Sequence, residues 1–188
     1  MKIIDQIERL YNYIPQDVYL VLLSFIALGI VITVSLKGFK NCWRICGTFF
    51  LLAYIFLIYA STVVFRVTSE ERGYNFRLFW SYNAINNGKK ELINETVLNV
   101  LFFIPLGVLV CVVFRNIRWW QVLLLGLCIS ISIELLQFYF NRGFSELDDI
   151  FHNVLGCMIG YIIYNIIYLF VNNVFINNKN INDGCILL

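Results

Sequence analysis

Charge is what this chain has least of. Only 14% of its 188 residues are Asp, Glu, Lys or Arg, whereas 60% are hydrophobic. A soluble domain carries about 25% charge. With a mean hydropathy of +0.76, this scarcity excludes a soluble globular domain and makes the chain an integral membrane protein. The net charge of +2 and the lack of a basic stripe exclude nucleic acid as a partner. A nucleophile elbow, a P-loop, an HExxH helix and a dinucleotide-binding fingerprint are all missing, so no common catalytic signature is present. Cys42, Cys46, Cys111, Cys128, Cys157 and Cys185 all lie in spans or in segments assigned below to the cytoplasm. That placement argues against a disulfide framework. Cys42 and Cys46 by themselves lack the further ligands of a zinc site.

What is present is a succession of apolar runs. Residues 1–17 carry Ile3, Ile7, Leu10 and Ile14 at helical spacing with Asp5, Glu8 and Arg9 off that stripe, which predicts an amphipathic interfacial helix ending near Pro15. Spans are expected at about 18–36, 45–65, 96–114, 119–140 and 150–171, each near the length a bilayer requires. The first apolar core is too long for a signal peptide and no small-x-small cleavage site follows it, so it reads as an uncleaved span. Residues 172–188 form a polar, Asn-rich tail. The expected fold is therefore all-α: a polytopic membrane bundle of five transmembrane helices at 18–171 with an N-terminal interfacial helix.

Basic residues set the expected orientation. Loop one holds Lys37, Lys40 and Arg44 with no acid, and loop three holds Arg115 and Arg118. Cytoplasmic loops carry the excess of Lys and Arg, which places the N-terminus outside and the C-terminus in the cytoplasm. Loops two and four then face outwards. Arg66, Asn99, Glu134, Gln137, His152 and Asn153 all fall near that outer face.

The stretch from Ser130 to Gly160 carries most of this polar chemistry. Glu134 and Gln137 are i, i+3 on one helix face inside lipid-grade sequence, where an ionisable group is costly and marks a candidate site. The competing reading is structural, with Glu134 paired to Arg66 or Arg142. Asp148, Asp149 and His152, together with Glu134, are donor types that ligate a hard divalent cation. Against this, acids in the first turn of a span also serve as helix caps. Asp149, Asn153, Gly156 and Gly160 follow an a/d spacing, and Gly156 to Gly160 is a GxxxG motif suited to packing inside the bundle. Arg66, Arg72 and Arg77 with the aromatics of loop two read either as a cover that binds anionic head groups or as an interfacial anchor. The matches Asn94-Glu95-Thr96 and Cys185-Ile186-Leu187-Leu188 need eukaryotic machinery, whereas the Ile- and Asn-rich composition reads as bacterial.

Asn99-Val-Leu-Phe-Phe-Ile-Pro-Leu-Gly107, Ile133-Glu134-Leu-Leu-Gln137, Arg142, and Asp148-Asp149-Ile-Phe-His-Asn153-Val-Leu-Gly156 with Gly160 occur in that order. Together they resemble the VanZ-like family over roughly 45–170. Phe65-Arg66 and Asn75-Phe76-Arg77-Leu78-Phe79 are similar to the family's upstream signature, here without its proline. The resemblance implies a bacterial cell-membrane protein of a family whose name-giving member confers resistance to teicoplanin-type glycopeptides. Carried across, it selects Arg66, Asn99, Glu134, Gln137, Arg142, Asp149 and Asn153 as ligand-binding candidates. Three functions compete. One is a non-catalytic envelope protein whose outer pocket binds a lipid-linked wall precursor, a lipid head group or the glycopeptide itself. Another is an enzyme acting on a phospholipid or polyprenyl-phosphate head group, with Glu134 or Asp149 as general base. The third is a small lipid or solute transporter, as a monomer or a homodimer. The sequence identifies no cofactor beyond the candidate cation.

Overall fold

The computed structural model describes residues 42–66 and 73–184. The interfacial helix expected at 1–17, the span at 18–36, Lys37, Lys40, Arg72 and Cys185 lie outside the described residues. Backbone groups in hydrocarbon must be paired within their own segment, so apolar runs of this length fold as helices. Four helices are long and apolar enough to cross a membrane: Arg44–Val64, Glu91–Val113, Trp119–Phe140 and Leu147–Asn173. The elements are α1 (Cys42–Tyr59, widening into a π-helical turn at Ala60–Val64), β1 (Gly73–Asn75), α2 (Trp80–Asn86), α3 (Glu91–Val113), α4 (Trp119–Phe140), β2 (Phe144–Glu146) and α5 (Leu147–Gly184). The protein is an all-α polytopic membrane bundle carrying one two-stranded bridge.

Helix limits differ from the hydropathy reading where polar residues join a helix end. α3 begins at Glu91 and not near residue 96, since its first turns rise past the apolar run with Glu91 and Glu95 exposed. It continues unbroken through Pro105, whose ring lies on an exposed face. α5 begins at Leu147, which brings Asp148 and Asp149 into its first turn, and no proline stops it before Gly184. The segment expected as a polar tail therefore continues the helix to that point. α4 spans 22 residues, about 33 Å at 1.5 Å per residue, close to the thickness of a hydrocarbon core.

α5 packs along α3 and also against α4. Its contact with α3 runs backbone to backbone. A Cβ built on Gly156 would lie 2.2 Å from the Val100 carbonyl oxygen, and one on Gly160 would lie 2.2 Å from that of Ile104. From the other side, a Cβ on Gly107 would lie 2.1 Å from the Cys157 carbonyl oxygen. The GxxxG motif thus packs inside the bundle, on the third expected span. Around this seam, Ile58, Phe103, Leu106, Val110, Val122, Ile133 and Cys157 form the buried core. Cys111, Cys128 and Cys157 are free thiols.

The two ends of the bundle differ in chemistry. At one end Arg44 Nε donates to the Val113 carbonyl at 3.3 Å. Arg115 there donates to Tyr168 Oη at 3.2 Å, its guanidinium 5.4 Å from the Tyr168 ring centre. At the opposite end β1 and β2 pair in parallel, Gly73 with Phe144, Tyr74 with Ser145 and Asn75 with Glu146. The hydropathy pattern gave no sign of these strands, because three-residue segments are too short to show alternation. They tie loop two to loop four, so both lie on one face and the turn after α3 lies on the other.

Adding a methyl group tests the α3–α5 seam. Gly107→Ala, Gly156→Ala and Gly160→Ala should each destabilise the protein by about 3 kcal/mol. Gly126→Ala, whose Cβ would meet the Cys157 side chain at 3.2 Å and the Val154 backbone no closer than 3.9 Å, should cost about 1 kcal/mol or less. Unfolding titrations in mixed micelles would rank the four, and equal costs would contradict this packing.

Candidate functional site

The site is built on helix ends. The π-helical turn that closes α1 widens the ladder, with Phe65 N donating to the Ala60 carbonyl at 2.9 Å. Such turns leave carbonyls that seek other donors. α4 supplies one of these: Gln137 Nε2 donates to the Thr62 carbonyl at 3.0 Å. Arg142, just beyond the end of α4, donates Nη1 to the carbonyls of Val64 and Arg66, the second at 3.0 Å. A guanidinium at a helix C-terminus is doubly favourable, as hydrogen-bond donor and as partner of the negative dipole end.

α4 itself ends where Asn141 turns left-handed at φ 54° and Arg142 N donates back to the Gln137 carbonyl at 2.8 Å. The next residue, Gly143, has φ +113°, and a Cβ there would come within 2.7 Å of the Arg66 guanidinium. Glycine lets the chain pass over Arg66 and enter β2. Inside α4, Glu134 is 4% exposed and accepts from the Glu146 backbone N–H at 2.8 Å. The side chain that looked most costly in lipid thus holds the segment leading into α5.

The first turn of α5 acts on loop two. Asp148 is 1% exposed and accepts from Phe79 N, from Ser81 N at 2.9 Å and from Ser81 Oγ at 2.6 Å. It therefore caps α2, whose N-cap residue Phe79 holds a left-handed φ of 62°. Trp80 Nε1 donates to Glu146 at 2.9 Å, and His152 Nε2 pairs with Tyr82 Oη at 2.9 Å. Next to Asp148, Asp149 accepts from Asn99 Nδ2 of α3 at 2.7 Å. Deeper still, Asn153 Nδ2 donates to Ser130 Oγ of α4 at 2.9 Å.

Charge concentrates where these elements meet. Arg66 attracts both Glu134 and Asp149, while the two carboxylates repel one another. Asp149 and Glu146 line a narrow cleft with Trp80, Ser81, Glu95, Thr96 and His152, which encloses about 10 Å³, room for one water-sized group. Burial, followed by the negative charge of Asp149, pushes the Glu146 carboxyl up to about 7, against the Trp80 hydrogen bond that favours its charged form.

The structure brings Arg66, in the bend just past the π-helical turn of α1, together with Asn99 of α3, Glu134 of α4 and Asp149 of α5. Gln137 and Arg142 lie beside them, committed to the end of α1. Asn153 sits one layer deeper, on the α4 side, apart from the α3-facing row of Asp149, Gly156 and Gly160. Among the described residues, no three His, Cys, Asp or Glu side chains are placed to hold a metal ion. Of the candidate cation ligands, Asp148 has given both oxygens to α2 and His152 has given Nε2 to Tyr82. Arg142 reaches carbonyls and not Glu134, so the electrostatic partner of Glu134 is Arg66. Sequence reasoning missed Thr62, Ser81 and Ser130 as partners. Only Ser130, four residues before Glu134 on the same helix face, gave a signal that could have been used.

A helical membrane bundle with an ionisable cluster at one end, held by trans-capped helix termini, defines the class. The chain belongs to the VanZ/LLP1 family, whose model matches residues 46–168. It is similar to Protein VanZ of Enterococcus faecium, 30% identical over 94 residues that make up 50% of this chain and 58% of that protein. The chain thus spans just over half the length of that curated relative. No solved structure matches it.

Two outcomes follow from the geometry. Asp148→Ala leaves the N–H groups of Phe79 and Ser81 without their acceptor and should cost about 3 kcal/mol. Faster hydrogen exchange over 79–84 would show it, and unchanged exchange would contradict the capping role. Separately, between about pH 4.5 and 7 the folded protein holds a proton on Glu146 that the unfolded chain has released. That contribution to stability is complete below pH 4.5 and is lost as pH rises through 7. Thermal unfolding of Glu146→Gln against the parent over this range should show a flatter pH slope in the variant.

Proposed function

We propose that this protein is a non-catalytic component of the bacterial cell envelope. In this reading its polar end faces outwards, with the C-terminus in the cytoplasm, and recognises the head group of a membrane lipid or lipid-linked wall precursor. Occupancy there lowers susceptibility to glycopeptides of the teicoplanin type. The convergence of Asn99, Glu134 and Asp149 from three helices with Arg66 from the bend after α1 carries the reading. A guanidinium beside two carboxylates offers donors to phosphate and acceptors to ammonium or hydroxyl groups. The enclosed volume is small, so the head group engages the rim of the cleft and does not enter the bundle.

The commitments of the polar groups favour binding over catalysis. Asp148, Gln137 and Arg142 are spent on helix ends, Tyr82 holds His152 Nε2, Glu134 accepts from the Glu146 N–H and Asp149 from the Asn99 amide, so these polar groups already have structural partners. A transporter would need polar groups along the whole bundle. Among the described residues the buried polar side chains gather towards one end, with the core around Val110, Val113 and Val122 apolar.

Native mass spectrometry of the protein in mild detergent, beside Glu134→Gln, Asp149→Asn and the double variant, tests this. A retained lipid should be present on the parent and lost from the double variant. Expression in a teicoplanin-susceptible host should raise the inhibitory concentration in parallel. Identical lipids on all forms would reduce the cluster to a structural ion-pair network and overturn the reading.

A further inference from the structure

We infer that the segment from Gly73 to Lys90 is a membrane-interfacial platform that lies in an anionic lipid leaflet. This goes beyond the head-group reading and does not depend on it. Three observations carry it together.

Most of the large apolar side chains of this segment are exposed, while Trp80 and Ile85 are half-buried. Tyr74, Phe76, Leu78, Phe79 and Tyr82 are all exposed, Phe76 at 64%. Five large exposed rings and aliphatics within nine residues exceed the scatter expected on a solvated loop.

Their exposed surface is continuous with the lipid-facing surface of the spans. Tyr74 packs on Phe76 at 5.0 Å and on Phe138 of α4 at 6.2 Å between ring centres. Phe79 packs on Phe151 at the start of α5 at 5.2 Å. Phe144 lies over Gly73, where any Cβ would collide with its ring. Beside these contacts, Tyr139 and Phe140 of α4 are also exposed. The platform therefore extends the apolar perimeter of α4 and α5 sideways, and is held there by the β1–β2 bridge and the Asp148 cap.

Charge then selects the leaflet. Residues 73–90 contain Arg77, Lys89 and Lys90 and no Asp or Glu, and all three cations are exposed. An aromatic, basic, acid-free segment at a membrane boundary seats its rings among the upper acyl chains and its cations at the phosphates. A protein partner or a second copy would have to compete with lipid already bordering the same rings.

Hydrogen–deuterium exchange of the full chain in nanodiscs tests the inference. Discs of phosphatidylcholine alone are compared with discs that also contain phosphatidylglycerol. Exchange over 73–90 should slow about tenfold or more in the anionic discs. The variant Arg77→Gln, Lys89→Gln, Lys90→Gln should lose that difference. Phe76→Ser with Leu78→Ser should speed exchange in both discs, with α3 to α5 peptides reporting an intact bundle. Equal exchange in the two lipids overturns the anionic preference. Slow exchange that ignores the serine substitutions means protein covers the face, and exchange that follows the protein-to-lipid ratio means a second copy does. Either result overturns the platform. The charge variant alters only exposed side chains, so it decides the question even if the serine variant fails to fold.

Discussion

Backbone groups at the membrane boundary have to be paired, and in this protein three points near helix ends, the end of α1, the start of α2 and the entry to α5, are paired by a side chain from another element. α1 ends in a π-helical turn whose carbonyls are taken by Gln137 and Arg142. α2 begins at a left-handed phenylalanine that is held by Asp148. The chain entering α5 is held by Glu134 through the Glu146 N–H. Two of the caps join elements more than 60 residues apart and the third spans 12, so together they tie α1, α2, α4 and α5 at one end. Where water is scarce, an orphaned N–H or carbonyl costs more than at a soluble surface, which gives these polar residues a reason to be present.

This arrangement changes how an ionisable residue in a span is read. A charge in lipid suggests a functional site because structure alone seldom justifies its cost. Here the same side chains both stabilise the fold and outline the site. Gln137, Arg142 and Asp148 are largely spent on backbone groups, and Arg66, Glu134 and Asp149 form the residual charged cluster. Truncating the first group should act mainly through stability, whereas neutralising the second tests the proposed recognition. Losing function on substitution anywhere in the motif would not separate the two.

Close helix packing sets the position of the cluster. Gly107, Gly156 and Gly160 let α3 and α5 meet at backbone distance, which brings Asn99 to Asp149 about two turns of α5 beyond Gly156. Small residues serve here because lipid supplies no hydrophobic force between helices, and van der Waals contact at short range replaces it. The polar end thus rests on an apolar seam, and a bulky residue at Gly156 would displace both.

Hydropathy alone determined the class of the protein and the four described membrane helices, because lipid leaves an apolar run of about 20 residues no other regular structure. The alternation of spans also put Arg66, Asn99, Glu134, Gln137, His152 and Asn153 near one face, and the family resemblance added Arg142 and Asp149. Tertiary structure decided what each group does there. Arg142 turned from Glu134 to the carbonyls at the end of α1, and Asp148 from its own helix to α2, because unpaired backbone groups nearby were the stronger claim. Asn153 turned from the α3 row to Ser130 of α4. The β1–β2 bridge left no trace in composition, since a three-residue strand is specified by its partner across space and not by its own pattern.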